Sequence, residues 1–146
     1  METKTVLISI HPEYAEAIFS GVKKVEFRRQ YFRQPVKRIF VYSTKPTQKV
    51  VGYFDVDNIF QSSPNKLWKM FNHIGYIDSK KYFDYFAFCD LGIAIHISNP
   101  TLFEKPIKLS EIHLKNPPQS YKYLSASEAE LLMQLGENKQ HDKQLS

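Results

Sequence analysis

The apolar runs of this chain are short, and that limits what it can fold into. The longest, residues 50–54 and 91–97, fall far below the roughly 18 residues a membrane span requires. Their β-branched and aromatic character reads as strand rather than as the stripe of a long helix. Residues 5–10 (TVLISI) form one run and 39–42 (IFVY) another. Residues 49–60 alternate around Gly52, which marks a bulge or a close backbone approach. Residues 91–98 and 103–107 read as two more strands, parted by Asn99-Pro100. In the stretch VEFR, alternation puts Val25 and Phe27 on one face and Glu26 and Arg28 on the other.

Helices fill the gaps. Pro12 opens the first, with Glu13 and Glu16 near its positive end, and Gly21 closes it. Ser63-Pro64 opens a second containing Leu67, Trp68 and Phe71, all expected to be buried. Asp78 caps a third whose inner stripe is Tyr82, Phe83 and Phe86. Ser125 caps a last helix over 126–135, ended by Gly136; residues 109–114 give a short turn and 116–120 an extended loop. About six strands and three or four helices, without regular βαβ alternation, make an α+β domain. The sheet should curl or close into a small mixed β-barrel flanked by those helices. A length of 146 residues suits one domain, taken as 1–136, with a polar tail at 137–146 expected to be disordered.

Charge and cysteine content narrow the chemistry. Twenty Lys+Arg against fifteen Asp+Glu give a net +5, which permits a nucleic-acid partner without demanding one. The single Cys89 excludes an intramolecular disulfide and a cysteine-based zinc site, and reads as an inert core thiol. His73, His96, His113 and His141 lack metal-ligand spacing, so neither a metal nor another cofactor is expected. No apolar run near the N-terminus resembles a secretory signal, so the chain is expected to be soluble and cytoplasmic, with no membrane partner. Nothing in the sequence sets an oligomeric state.

Residues 21–29 (GVKKVEFRR) carry the most chemistry. Glu26 and Arg28 share the polar side of a strand, with Lys23 at the mouth. A carboxylate flanked by cations favours its charged form, and the remaining positive charge can hold an anion such as a phosphate. Read alone, the same pattern also describes a solvated strand face laced with weak ion pairs. Lys23 and Glu26 are the candidate acid and base should the protein be an enzyme. His11, at the strand-to-helix junction, is either a ligand-facing base or a plain helix N-terminal residue. Arg29 should point opposite to Arg28. Arg28, Arg29, Arg33, Lys37 and Arg38 form a candidate electrostatic footprint, and a solvated loop accounts for them equally. Tyr42, Tyr53 and Tyr121 are the candidate base-stacking aromatics.

Gly21, Lys23, Glu26 and Arg28 match the pattern G-x-K-x-x-E-x-R at every fixed position. That pattern resembles the signature of the activating signal cointegrator homology (ASCH) domain, a branch of the PUA-like β-barrel superfamily. LISIHPEYA (7–15), IFVYS (39–43), VVGYF (50–54) and PPQSY (117–121) are similar to the family's opening strand and helix, its next two strands and a closing loop. The resemblance runs from about Val6 to Leu124. It implies a cleft lined by Lys23, Glu26 and Arg28 that binds RNA or a nucleotide-like ligand. Ser43, Thr44 and Lys45 would belong to its rim, with Gln119 and Ser120 alongside; a lysine is common in the family at the place of His11. The resemblance also implies possible hydrolysis of RNA or of N4-acetylcytidine. In the acetylcytidine branch a lysine at the Lys23 position and a threonine at the Glu26 position serve the reaction; here Glu26 removes that hydroxyl.

Overall fold

The structure, a computed structural model, describes residues 2–145, with side chains through residue 137. Six strands form one sheet: β1 (Lys4–Ile10), β2 (Val25–Arg28), β3 (Val36–Ser43), β4 (Lys49–Ser62), β5 (Gly92–Ile107) and β6 (Tyr121–Leu124). Their order is β2-β5-β4-β3-β1-β6. β1 runs parallel to β3, and the other pairs are antiparallel. The helices are α1 (Pro12–Phe19), α2 (Pro64–Phe71), α3 (Ser79–Tyr85) and α4 (Ala126–Leu145), with a 3-10 turn at Leu109–Ile112. The α+β class is as expected. The sheet is barrel-like only loosely: among the described residues no ladder joins its edge strands β2 and β6.

Three expectations need correction. Asn99-Pro100 does not divide a strand, because Asn99 takes φ 50° and lets β5 bend without ending. β4 accommodates the bend by shifting register between Tyr53 and Asp55. The strand β6 went unforeseen; only four residues long, it follows a proline loop and pairs with Thr5–Ile8 of β1. Gly136 does not close α4, which continues to Leu145. Its missing side chain instead makes room for a ring, since a Cβ there would lie 2.3 Å from Phe103 Cδ1. The side chains of the expected tail beyond 137 lie outside the described residues.

Both faces of the sheet are covered, which is why β1 reads as continuous rather than alternating apolar sequence. Val6 and Ile8 pack with Ile18, Ile39, Val41, Phe54 and Ile95 on one face. Leu7 points the other way, to Phe40, Tyr42, Phe103 and Leu132. A third cluster seats α2 and α3 against β2 and β5 through Val25, Phe27, Leu67, Phe71, Tyr82, Phe86 and Ala94. Trp68 is only half-buried at the rim of this cluster, its ring 4.8 Å from that of Tyr82. The caps follow the sequence: Ser63 Oγ accepts from Lys66 N (3.3 Å) and Asp78 Oδ1 from Lys81 N (2.8 Å).

Gly52 is both a bulge and a close approach, as its place in an alternating strand implied. Register shifts between Val50 and Gly52, and a Cβ would meet the Thr101 carbonyl oxygen at 2.3 Å and the Phe19 ring at 2.8 Å. Because the nearest obstacle is backbone, Gly52→Ala should cost roughly 1–3 kcal/mol, the range of overpacked cores. Urea unfolding checks this: an unchanged midpoint would mean β4 and β5 separate more easily than their ladder implies.

Candidate functional site

Helix α1 ends where its sequence says it must. Gly21 takes φ 87°, and the amides of Val22 and Lys23 both donate to the Ala17 carbonyl at 3.0 Å. That turn delivers Lys23 to the entrance of β2. Lys24 is then fixed on both sides, its amide donating to Ile74 O (2.8 Å) and its carbonyl accepting from Ile97 N (2.9 Å). Pairing of Glu26 with Ile95 and of Arg28 with Ile93 orients the two charged side chains away from the Phe27 side.

Lys23, Glu26 and Arg28 converge. The Glu26 carboxylate lies between two cations, Oε1 at 3.7 Å from Lys23 Nζ and Oε2 at 3.1 Å from Arg28 Nη1. Lys23 is not at the mouth of the site but inside it: the residue is 2% exposed and Glu26 6%. Its ammonium donates to the Gly75 carbonyl and sits 5.1 Å from the Tyr14 ring centre and 5.6 Å from that of Phe27. Arg28 Nη1 also donates to Ser9 O (3.3 Å), and Nη2 to Ser120 O and Oγ (3.4 Å each). With its side chain 16% exposed, Arg28 is the member of the three closest to solvent. Burial pushes the Lys23 pKa below the ordinary 10.5, and the charge and hydrogen bond of Glu26 oppose it without cancelling it.

The remaining candidates divide into two groups. His11 is exposed at the N-cap of α1, without a capping bond from its side chain, and its Nδ1 lies 3.4 Å from Thr44 Oγ1. Ser43 is buried, opposite Ile10 and Lys49 in the sheet, while Lys45 is exposed. These residues gather at the shared ends of β1 and β3. Their link to the charged cluster is β1 itself, whose Ser9 carbonyl accepts from Arg28. Arg29 is exposed and lays its guanidinium 4.7 Å from the Tyr85 ring centre, and Tyr85 also lies within electrostatic range of Arg28 and Glu26.

The basic stretch is not one footprint. Arg38 is committed to Asp55 (2.8 Å) above the Tyr53 ring, and Arg28 is turned inward, leaving Arg29, Arg33 and Lys37 exposed. The three tyrosines singled out for stacking are poorly placed for it. Tyr42 is buried, Tyr53 lies under Arg38, and Tyr121 packs edge-on against Phe32. Cys89 is half-buried against the third cluster. Among the described residues, no three His, Cys, Asp or Glu side chains gather to hold a metal ion, and no helix is long and apolar enough to cross a membrane.

Sequence reasoning missed Tyr14, the Gly75 carbonyl, Ser9 and Tyr85. Tyr14 is legible only as a helix-face aromatic, and Gly75 lies 52 positions from the lysine it serves, so no local spacing flags either.

The chain as a whole is similar to known proteins. The ASCH domain family model matches residues 8–107. A protein of Zymomonas mobilis named as an ASCH domain-containing ribonuclease is 32% identical over 142 residues, 92% of this chain and 93% of that one. A crystal structure of ASCH from Zymomonas mobilis superposes with a TM-score of 0.85 at 33% identity, over 92% of this chain and 96% of the other. A stretch of the protein named ATP synthase subunit alpha in Ureaplasma parvum is 34% identical over 125 residues, 85% of this chain but 16% of that protein.

The buried charges set two expectations for stability. Glu26→Ala leaves two partly buried cations without their anion and should cost about 3–5 kcal/mol, read from denaturant midpoints. Lys23 binds its proton less tightly folded than unfolded, so between its lowered pKa and 10.5 the unfolded chain holds more protons and stability rises with pH. Relative to Lys23→Met, the wild-type protein should therefore gain stability as pH is raised through that window; a constant difference would contradict the assigned burial.

Proposed function

This chain belongs to the ASCH domain family, and we propose that it binds RNA at the Lys23–Glu26–Arg28 cluster and cleaves it there. One observation carries the reading: an ammonium 2% exposed, with a lowered pKa, held 3.7 Å from a carboxylate that an arginine grips from its other side. With Lys23 and Arg28 positive and Glu26 negative, the cluster carries +2 − 1 = +1, the complement of one phosphodiester. The relative named as a ribonuclease, alike over nearly its whole length, supports RNA as the partner.

The roles follow from the contacts. Arg28, the most solvent-facing of the three, holds non-bridging phosphate oxygens. Lys23 in its neutral form takes the proton from the ribose 2′-hydroxyl as O2′ bonds to phosphorus. As the P–O5′ bond breaks, the departing oxygen takes a proton from solvent water, leaving a 2′,3′-cyclic phosphate, and Lys23 returns its own proton to solvent. Each oxygen of Glu26 already faces a cation, so Glu26 positions both and tunes Lys23 rather than carrying the proton itself. His11, Ser43, Thr44 and Lys45 extend the site along the ends of β1 and β3.

A second reading, binding without cleavage, is favoured by one detail. Lys23 already donates to Gly75 and both Glu26 oxygens are engaged, so the cluster is satisfied without ligand. Titrating single-stranded RNA of natural and 2′-O-methyl sugar separates the two. Both should bind, with affinity falling as salt rises, and only the natural strand should be cut. Lys23→Ala should abolish cutting, and Arg28→Ala should weaken binding roughly tenfold, as expected for a lost charge-assisted phosphate contact. RNA bound but never cut leaves the binding role alone, whereas release of acetate from N4-acetylcytidine with intact RNA would move the substrate to a modified nucleoside. Binding unchanged in the Lys23→Ala, Arg28→Ala double variant would remove the site altogether.

A further inference from the structure

Among the described residues the large exposed aromatics are Tyr31, Tyr76 and Phe88, none of them singled out by the sequence, and the last two share an unusual backbone. Tyr76 is 45% exposed and Phe88 is fully exposed, and both hold left-handed backbone, at φ 49° and 65°. For bulky side chains that conformation is rare and costly, and it persists where the surroundings enforce it. We propose that Tyr76 and Phe88 are stacking platforms for unpaired bases beside the Lys23–Glu26–Arg28 cluster, so that the substrate is single-stranded RNA several nucleotides long. The inference rests on the RNA reading above and deepens it.

Both rings project from loops tied to the cluster. Tyr76 follows Gly75, whose carbonyl takes the Lys23 ammonium, and the Ile74 carbonyl takes the Lys24 amide. Gly75 is pinned beneath Phe27, where a Cβ would come within 2.5 Å of the ring, which fixes the backbone from which Tyr76 projects. Phe88 stands on the loop after α3. The preceding ring, Phe86, is locked in the core against Phe27, and the Cys89 amide donates back to its carbonyl at 3.0 Å. Tyr85, one residue earlier still, carries the Arg29 guanidinium on its face. Because β5 starts at Gly92 and its Ile93 pairs with Arg28, this loop adjoins the Arg28 end of β2.

Tyr76 thus adjoins the carbonyl that takes the Lys23 ammonium, and Phe88 lies three residues from Tyr85, which sits within electrostatic range of Arg28 and Glu26. Water-exposed aromatics beside cations suit a chain that alternates flat bases with negative phosphates. Stacking tolerates any base, so these platforms would give length and single-strand preference rather than sequence preference. A free nucleoside could use the charged cluster but not both rings.

The test uses the full-length protein and fluorescein-labelled single-stranded RNA of about eight nucleotides, within the site sizes such platforms serve. Tyr76→Ala and Phe88→Ala should each weaken binding roughly tenfold, while Phe88→Trp retains it and Phe88→Leu does not. Cytidine monophosphate should bind all variants alike. Phe88→Gly relieves the left-handed backbone, so its Tm should rise while RNA affinity falls; a structural role for Phe88 would not separate those readouts. Should Lys23→Ala weaken RNA binding while both alanine variants bind as wild type, the stacking proposal fails and the RNA reading stands. Failure of the wild-type protein to bind any RNA would remove the RNA reading, and the stacking with it. Self-association lost on Phe88→Ala, with RNA affinity unchanged, would assign the rings to a second copy of the chain and overturn the proposal.

Discussion

A carboxylate shared by two cations in a place with little water is the interaction on which the rest depends. Glu26 alone could not remain ionised there cheaply, and neither could Lys23. Each is kept by the other, by Arg28 and by the Gly75 carbonyl, so the geometry behaves as one unit. Burial strengthens the attraction and also enlarges the penalty for losing any member. A surface version of the same three side chains would be worth little and would exchange partners freely. Depth turns an ordinary ion pair into a fixed arrangement with an abnormal lysine.

The cluster sits at an edge of the open sheet. Strand β2 pairs only with β5, and the other edge of the sheet is β6. A closed barrel would join the two edges by a backbone ladder. Here Arg28 bridges them instead, its guanidinium reaching Ser9 O on β1 and Ser120 just before β6. The loop at Ser120 is held in turn, as the Ser9 amide donates to the Ser120 carbonyl (3.3 Å) and Ser9 Oγ to Pro118 O (2.6 Å). The same arginine is therefore both a clasp of the fold and the most accessible charge of the site.

The limits of reading this chain from sequence follow from distance along it. Alternation placed Glu26 and Arg28 together because residues two apart on a strand share a face, a purely local rule. The turn at Gly21, the caps at Ser63 and Asp78 and the approach at Gly52 were legible for the same reason. Misreadings arose where a local signal had two meanings. Asn99-Pro100 is a usual break, and here Asn99 absorbs it as a bend; Gly136 is a usual helix end, and here it makes room for Phe103. The depth of Lys23 was invisible because α1, the loop around Gly75 and β2 bury it together. The three tyrosines failed as platforms since nothing local distinguishes a tyrosine under Arg38 or beside Phe32 from an exposed one.

The cluster is also charge-unbalanced in a way that bears on how a ligand would be held. With Lys23 protonated it carries one excess positive charge, and with Lys23 neutral it carries none. Burial alone pulls toward the neutral form, which is why the pKa falls despite the adjoining carboxylate. An arriving phosphate pulls the other way, because an anion near the ammonium favours its charged state. On the proposed reading, anion binding and protonation of Lys23 therefore reinforce each other, while a neutral lysine is what removes a proton from a sugar hydroxyl. The Tyr14 ring, 5.1 Å from the nitrogen, favours the charged form as well by offering its face to the cation.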